Sequence, residues 1–213
     1  MDTLDSNGNY HRFGFSFDKG ISHRAAIGLV VLATDHTIEY EWRKMLTLDG
    51  VGFYESRIVN SPDIRPETLA QMDVVIASVH TLFNQPESQM TERVLRAIEN
   101  PYVRILGHPT GRLLLRREAF AIDLPAILRR ASELGVAVEH NAYPDRLDLC
   151  DRDLRLAKEL GCKISVNTDS HHTSHMEKMR YGIRQLRRAW LTKTDVLNTL
   201  PAKEFLAALR PRP

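Results

Sequence analysis

The sequence contains few cysteines, no long apolar run and no signal-like start, and each of these absences excludes a class of protein. Its two cysteines, Cys150 and Cys162, form neither a CxxC metal pair nor the pattern of a disulfide-rich secreted domain. No segment approaches the ~20 uninterrupted apolar residues that a membrane helix needs, and the polar first residues lack the basic-then-apolar order of a signal peptide. We therefore expect a cytoplasmic protein with reduced thiols and no membrane contact.

A strong excess of one charge is also absent. The 29 Lys and Arg residues against 27 Asp and Glu residues give a formal net charge of +2, so the composition does not indicate a nucleic-acid partner. One local basic stripe, on a helix predicted over residues 175–190, comprises Arg180, Arg184, Arg187 and Arg188. Most such stripes are solvated helix faces, and a nucleic-acid-binding module is therefore only our third hypothesis.

Apolar runs rich in branched residues alternate with helical patterns along most of the chain. Buried-strand patterns cover residues 26–33, 51–58, 74–79, 103–106, 136–139 and 164–166. Alternation of this kind predicts an α/β protein with a parallel sheet. Residues 1–25 lack a sustained period, so we predict an irregular arm there, and the length suits one compact domain of unknown oligomeric state.

Four successive predicted strands end in side chains that can bind metals or substrates. They end in SVH at His80, GHP at His108, EHN at residues 139–141 and TDSH at residues 168–171. The carboxyl ends of parallel strands lie along one edge of a sheet, where ligand sites form. Imidazole and carboxylate groups together suit Zn²⁺ or Mn²⁺, which can polarise a phosphate and lower the pKa of bound water. The pattern therefore predicts phosphoester chemistry on a phosphate-containing ligand.

From about residue 73 onwards the chain contains ASVHTLFNQPESQMTERVLRAIENPYVRILGHPTGRLL, VEHNAYPDRLDL, VNTDSHH and MRYGIRQLRRAWLTKTDVLNTLP. These segments resemble the last four strands of the PHP phosphoesterase domain of bacterial family X DNA polymerases. The resemblance implies a distorted βα barrel that binds up to three divalent metals. It implies metal ligands at His80, His108, Asp169 and His171. It also places Arg112, Asn141, Asp145 and Arg146 near the site, and we expect catalytic roles for Asp169, Arg112, Asn141 and Arg146.

The first third of the chain departs from that pattern. The family begins with an HxH on the first strand, a His on the second and a metal-bridging Glu on the third, and none has a clear counterpart here. Instead, residues 26–72, with IGLVVLATDHTIEYEWRKMLTLDGVGFYESRIVNSPDIRPETLAQM, resemble the flavodoxin-like start of maleate isomerase and aspartate racemase-like proteins. The two catalytic cysteines of that family have no counterpart here, so thiol-based isomerisation is not expected.

The two resemblances give a leading hypothesis and an alternative. The leading hypothesis is a recombined or engineered chimera of residues 26–72 and 73–213, with a partial metal site and weak or no phosphoesterase activity. The alternative is an active metal-dependent phosphatase or nuclease of the PHP type.

The fold prediction has two forms as well. A closed eight-stranded barrel typically needs ~250 residues, so we predict an open six-stranded sheet with the flavodoxin-like order 2-1-3-4-5-6. A partial βα barrel is the alternative. In the open order, His36 at the end of the first strand would lie near His80 and could replace a lost metal ligand.

Overall fold

The computed structural model describes residues 2–4, 10–12, 22–32, 38–58, 64–209 and 211. The chain divides into two compact units, Met1–Asn60 and Ser61–Pro213, and each is described by itself. That residues 1–213 form a single domain stays a prediction. None of the described helices has the length and apolarity needed to cross a membrane.

The first unit contains a βαβ motif. Strands β1 (Asp2–Leu4) and β2 (Tyr10–Arg12) form a short antiparallel pair within the segment predicted to be irregular. Strands β3 (Ala25–Leu32) and β4 (Val51–Ile58) pair in parallel along their whole length. Helix α1 (Ile38–Met45) lies between them in the chain, as a parallel crossover requires. The βαβ opening predicted from the apolar pattern is confirmed.

The second unit is built on a four-stranded parallel sheet with the order β5-β6-β7-β8. Its strands are β5 (Ile76–Ala77), β6 (Ile105–Leu106), β7 (Ala137–Asn141) and β8 (Ile164–Asn167). Its helices are α2 (Pro66–Leu69), α3 (Glu87–Glu99), α4 (Leu124–Leu134), α5 (Asp151–Glu159), α6 (Met179–Arg188) and α7 (Ala202–Ala208), with 3-10 turns at Thr173–Lys178, Lys193–Asp195 and Leu197–Thr199. Each strand is followed by a helix, which gives the parallel connections.

The core of the second unit lies between this sheet and the apolar faces of its helices. Helix α4 buries Leu124, Ile127, Leu128 and Ala131, which recur at the three- and four-residue spacing of one helix face. The helix begins at Asp123, whose side chain accepts the Ala126 N–H, and ends at Gly135 with φ 67°. The two caps fix where α4 begins and ends, and its apolar face fixes how it packs on the sheet. The strands before and after α4 are thereby placed, and the site lies at their ends.

Strand pairing confirms the α/β class and the parallel sheets. In the described residues, β3 pairs with β4 and the other four parallel strands form a separate sheet. The continuous order 2-1-3-4-5-6 is not observed, and it stays a prediction beside the partial barrel. Strand β5 is also shorter than the predicted run of residues 74–79, because only Ile76 and Ala77 pair with β6.

Candidate functional site

A cavity of about 260 Å³ opens at the carboxyl ends of the four strands of the second unit. Its lining consists of Ile76, Ser78, His80, Gly107, His108, Glu139, Asn167 and Asp169. This is the edge where parallel α/β folds bind ligands. The structure therefore brings together His80, His108 and Asp169, three of the residues predicted from the strand ends.

His80 and His108 form a perpendicular pair, with ring centroids 5.0 Å apart. The ring nitrogen Nε2 of His80 lies 3.0 Å from the hydroxyl of Ser78. His108 is buried, and its Nδ1 has no hydrogen-bond partner among the described residues. Burial, reinforced by the positive charge of Arg146 and by His80, lowers the pKa of His108 to about 4. His108 is therefore neutral at pH 7, which is the form in which imidazole binds a metal.

The carboxylate of Glu139 binds the backbone of His108. One carboxylate oxygen accepts the His108 backbone N–H at 2.6 Å, and the other accepts the Asn167 side-chain amide at 2.7 Å. Burial raises the pKa of Glu139. Sequence reasoning included this residue in the EHN strand end but gave it no role. The available signal was a carboxylate inside the otherwise apolar strand run of residues 136–139.

Asp169 is held by two of the residues predicted to be catalytic. Its Oδ2 accepts the Nε–H of Arg146 at 3.1 Å and the side-chain amide of Asn141 at 3.1 Å. Its backbone has a φ of 49°, in the left-handed region that non-glycine residues rarely adopt. The structure thus groups Asp169, Asn141 and Arg146, as their loop positions predict.

Arg112 and Arg146 differ in what they contact. Arg112 donates from Nε to the Arg146 carbonyl at 2.9 Å and from Nη2 to the Leu147 carbonyl. Arg146 places its Nε on Asp169, while its buried Nη1 has no hydrogen-bond partner in the described part of the chain. Arg112 therefore ties two loops together, whereas Arg146 contacts Asp169, which lines the cavity.

Asp148 joins the same two loops and was not identified from the sequence. It is fully buried and accepts hydrogen bonds from the Thr110 N–H at 3.1 Å, the Thr110 hydroxyl at 2.8 Å and the Gly111 N–H at 2.9 Å. Burial raises the pKa of Asp148 to about 6. No spacing rule indicates this role, because the contacts join residues 37 and 38 positions apart.

The other predicted site residues do not line the cavity or are not described, and Arg112, Asn141 and Arg146 lie behind its lining in the contacts given above. His171 is exposed; its Nδ1 lies 2.7 Å from the Asp169 carbonyl, and its N–H donates to Nδ1 of His175. Asp145 lies 3.6 Å from Arg116 in an exposed ion pair. His36 lies outside the described residues. Metal binding by His171 or His36 stays a prediction.

The side chains of the cavity have the right chemistry to bind a divalent metal, but they do not converge on one position. Two imidazoles and two carboxylates line the cavity, and the buried Nδ1 of His108 is available, as Zn²⁺ or Mn²⁺ coordination requires. Within the described ranges, however, no three His, Cys, Asp or Glu side chains are grouped closely enough to hold an ion together. The residues therefore fit a partial metal site.

Comparison with known proteins finds similarity to a DNA polymerase/3'-5' exonuclease and to probable phosphatases. No protein-family model matches the sequence. The DNA polymerase/3'-5' exonuclease PolX of Bacillus subtilis (strain 168) is 39% identical over 148 residues, which cover 70% of this chain and 26% of that protein. A probable phosphatase of Thermoanaerobacter sp. (strain X514) is 30% identical over 146 residues, which cover 64% of this chain and 57% of that protein. This chain thus spans about a quarter of PolX and little more than half of the phosphatase.

A third relative bears on the predicted chimera. A probable phosphatase of Edwardsiella ictaluri (strain 93-146) is 28% identical over 209 residues, which cover 86% of this chain and 83% of that protein. The unaligned 14% of this chain amounts to about 30 residues, fewer than the 72 residues before the predicted junction. The alignment therefore includes part of that first segment. The comparisons give no support to a chimera or to a maleate isomerase-like part. They show that this chain is homologous to part of PolX and to probable phosphatases.

Proposed function

We propose that this protein is a metal-dependent phosphoesterase that uses Zn²⁺ or Mn²⁺ to hydrolyse a phosphate-containing substrate. One observation carries the proposal: His80, His108, Glu139 and Asp169 come from four adjacent strand ends and line one cavity. Homology to a 3'-5' exonuclease and to probable phosphatases supports the same class of reaction. The active alternative is therefore better supported than an inactive chimera.

The two imidazoles and Asp169 are the residues that would hold the metal. A bound divalent ion would polarise the phosphate and lower the pKa of a water molecule. His108 meets it as a neutral imidazole, because burial keeps its pKa near 4. The Asn141 amide and the Arg146 guanidinium orient the Asp169 carboxylate.

Arg146 is the residue that would bind the phosphate. Within the described part of the chain its Nη1 is buried without a hydrogen-bond partner, and its Nε already fixes the guanidinium plane on Asp169. A planar guanidinium held in this way can donate to a phosphate oxygen without losing further side-chain freedom.

Backbone strain at the cavity supports a functional site. His108 and Asp169 have φ values of 27° and 49°, which cost energy in non-glycine residues and cluster where function maintains them. Two strained residues on one cavity are therefore expected for a binding site.

The test is hydrolysis of bis(p-nitrophenyl) phosphate by metal-stripped protein to which Mn²⁺ or Zn²⁺ is returned. We expect the activity to require the metal. Asp169→Asn should lower it by up to ~100-fold, because the site loses a carboxylate that would bind the metal and Arg146 loses its charged partner. Asp145→Asn is the control, because this nearby carboxylate pairs with Arg116 outside the cavity. Activity that survives Asp169→Asn, or that needs no metal, would contradict the proposal.

A further inference from the structure

Two loops beside the cavity are locked together by buried hydrogen bonds. The His108 loop comprises residues 107–112, and the Asp148 loop comprises residues 143–148. The Asp148 carboxylate accepts three hydrogen bonds from Thr110 and Gly111. In the opposite direction, Arg112 donates to the carbonyls of Arg146 and Leu147. Hydrogen bonds therefore run between the two loops in both directions, since each loop contains donors and the other contains their acceptors or the reverse.

The side chain of His108 depends on its backbone for its orientation. Its Nδ1 has no partner among the described residues, so no hydrogen bond at that atom fixes the ring. Its backbone is held on one side by Glu139, which accepts the His108 N–H. On the other side it is held through Thr110 and Gly111, whose N–H groups end on Asp148.

Asp148 also connects the His108 loop to Asp169. Its backbone pairs with Asn141, with Asn141 N–H to Asp148 carbonyl at 2.5 Å and Asp148 N–H to Asn141 carbonyl at 3.2 Å. The Asn141 side chain donates to Asp169. The spacing between His108 and Asp169 is therefore set through a chain of contacts that passes through Asp148.

We propose that Asp148 is a positioning residue, which holds the His108 imidazole at the distance and direction from Asp169 that metal binding requires. The inference rests on the proposed function, since it concerns the same metal site. Asp148 is fully buried and is not among the residues that line the cavity. Positioning groups behind metal ligands typically change metal affinity 10- to 100-fold, which gives the size of the expected effect.

The experiment measures Mn²⁺ affinity by calorimetry on the full chain, at a temperature where every variant is folded. Asp148→Asn places an amide donor against backbone N–H donors, and it should weaken Mn²⁺ binding at least ~10-fold. Thr110→Val removes only the hydroxyl bond and should weaken binding less, whereas Thr110→Ser keeps the hydroxyl and should restore wild-type affinity.

Asp195→Asn is the matched control. Asp195 also accepts hydrogen bonds from a backbone N–H and a hydroxyl of one threonine, Thr192, and it also pairs with Lys158. It lies outside the cavity lining. We therefore expect Asp195→Asn to lower thermal stability while leaving the Mn²⁺ affinity unchanged.

The outcomes separate this inference from the proposed function. Wild-type affinity in both Asp148→Asn and Thr110→Val would overturn the positioning role, and so would an equal loss in Asp195→Asn. If the wild type binds no Mn²⁺, the proposed metal chemistry fails. The positioning role is then decided by the His108 imidazole NMR signal, which should be single in the wild type and broadened or multiple in Asp148→Asn. An unchanged signal would overturn it.

Discussion

At the scale of single residues, two arginines of the same site have separate tasks. The guanidinium of Arg112 donates to the carbonyls of Arg146 and Leu147, whereas Arg146 contacts Asp169 and has a buried Nη1 that is unpaired among the described residues. Both were predicted to be catalytic, and only Arg146 contacts Asp169, a residue of the cavity lining.

Substitution by lysine should separate the two arginines. Arg146→Lys loses the planar fork, so we expect KM for bis(p-nitrophenyl) phosphate to rise about 10-fold or more, as the loss of one charged hydrogen bond predicts. Arg112→Lys loses two bonds between loops, so it should lower Tm and change KM less. Steady-state kinetics and thermal melts measure both. A larger KM effect for Arg112→Lys would contradict the assignment.

Buried His140 gives a prediction for stability against pH. Its Nδ1 lies 2.9 Å from the Leu149 carbonyl, and burial lowers its pKa from 6.5 to about 4. The unfolded chain therefore takes up this proton first as the pH falls. The stability that neutral His140 contributes is complete above pH 6.5 and is lost as the pH falls towards 4.

His140→Leu removes that dependence. Between pH 6 and pH 4.5, the free energy of unfolding of the wild type should fall relative to the variant by up to about 1.4 kcal/mol per pH unit. Above pH 7 the difference between the two proteins should be constant. Urea denaturation at several pH values measures it, and parallel profiles throughout the range would contradict the assignment.

The sequence predicted part of this site because strand ends are visible in it. His80, His108 and Asp169 each follow an apolar run, and parallel strands bring such ends to one edge. Glu139 and Asp148 were missed because their roles depend on partners 31 to 38 residues away. The contacts of Arg112 with the carbonyls of Arg146 and Leu147 could not be predicted for the same reason, and its catalytic role stays a prediction.

At the scale of secondary structure, helix α4 was predictable to the residue. The helical pattern closed by Gly135 predicts residues 124–134, and the helix is Leu124–Leu134, with Asp123 as its N-cap in the structure. Strand β5 was overestimated because branched apolar residues indicate a buried segment but not how many of its residues pair. Local signals therefore gave helix ends, whereas strand ends depended on the neighbouring strand.

Leu128 tests the packing of α4. It is fully buried in the core, so Leu128→Ala should lower the free energy of unfolding by about 2–5 kcal/mol through lost contacts and a cavity. Leu115→Ala makes the same chemical change at a fully exposed position and should stay within about 0.5 kcal/mol of the wild type. Chemical denaturation measures both, and equal effects would show that α4 does not bury this face.

In the molecule as a whole, strands β3 and β4 form a parallel sheet in the first unit and strands β5 to β8 form another in the second. Their parallel direction could be predicted because strands alternate with helices in the sequence. The strand order across the two sheets could not be predicted from it. Apolar runs such as β3 specify burial without specifying a neighbour. The same limit applies to the predicted junction, where local resemblance suggested a chimera that the longer alignment does not support.

The chain's two tryptophans test the one-domain prediction. Trp42 lies in the first unit and Trp190 in the second, so Trp190→Phe and Trp42→Phe each leave one reporter. A two-stranded sheet is only marginally stable by itself, and one domain predicts that both fluorescence transitions in urea coincide with loss of helix by circular dichroism. Separate midpoints for the two reporters would show two domains.

The most direct measurement of the central claim is the anomalous scattering of zinc in crystals of the full chain grown with Zn²⁺. We expect a peak in the cavity at the ends of β5–β8, with nitrogen atoms of His80 and His108 about 2.1 Å from it. The peak should disappear in a His80→Ala/His108→Ala variant that keeps the same fold. A zinc peak elsewhere, with none in this cavity, would contradict the account.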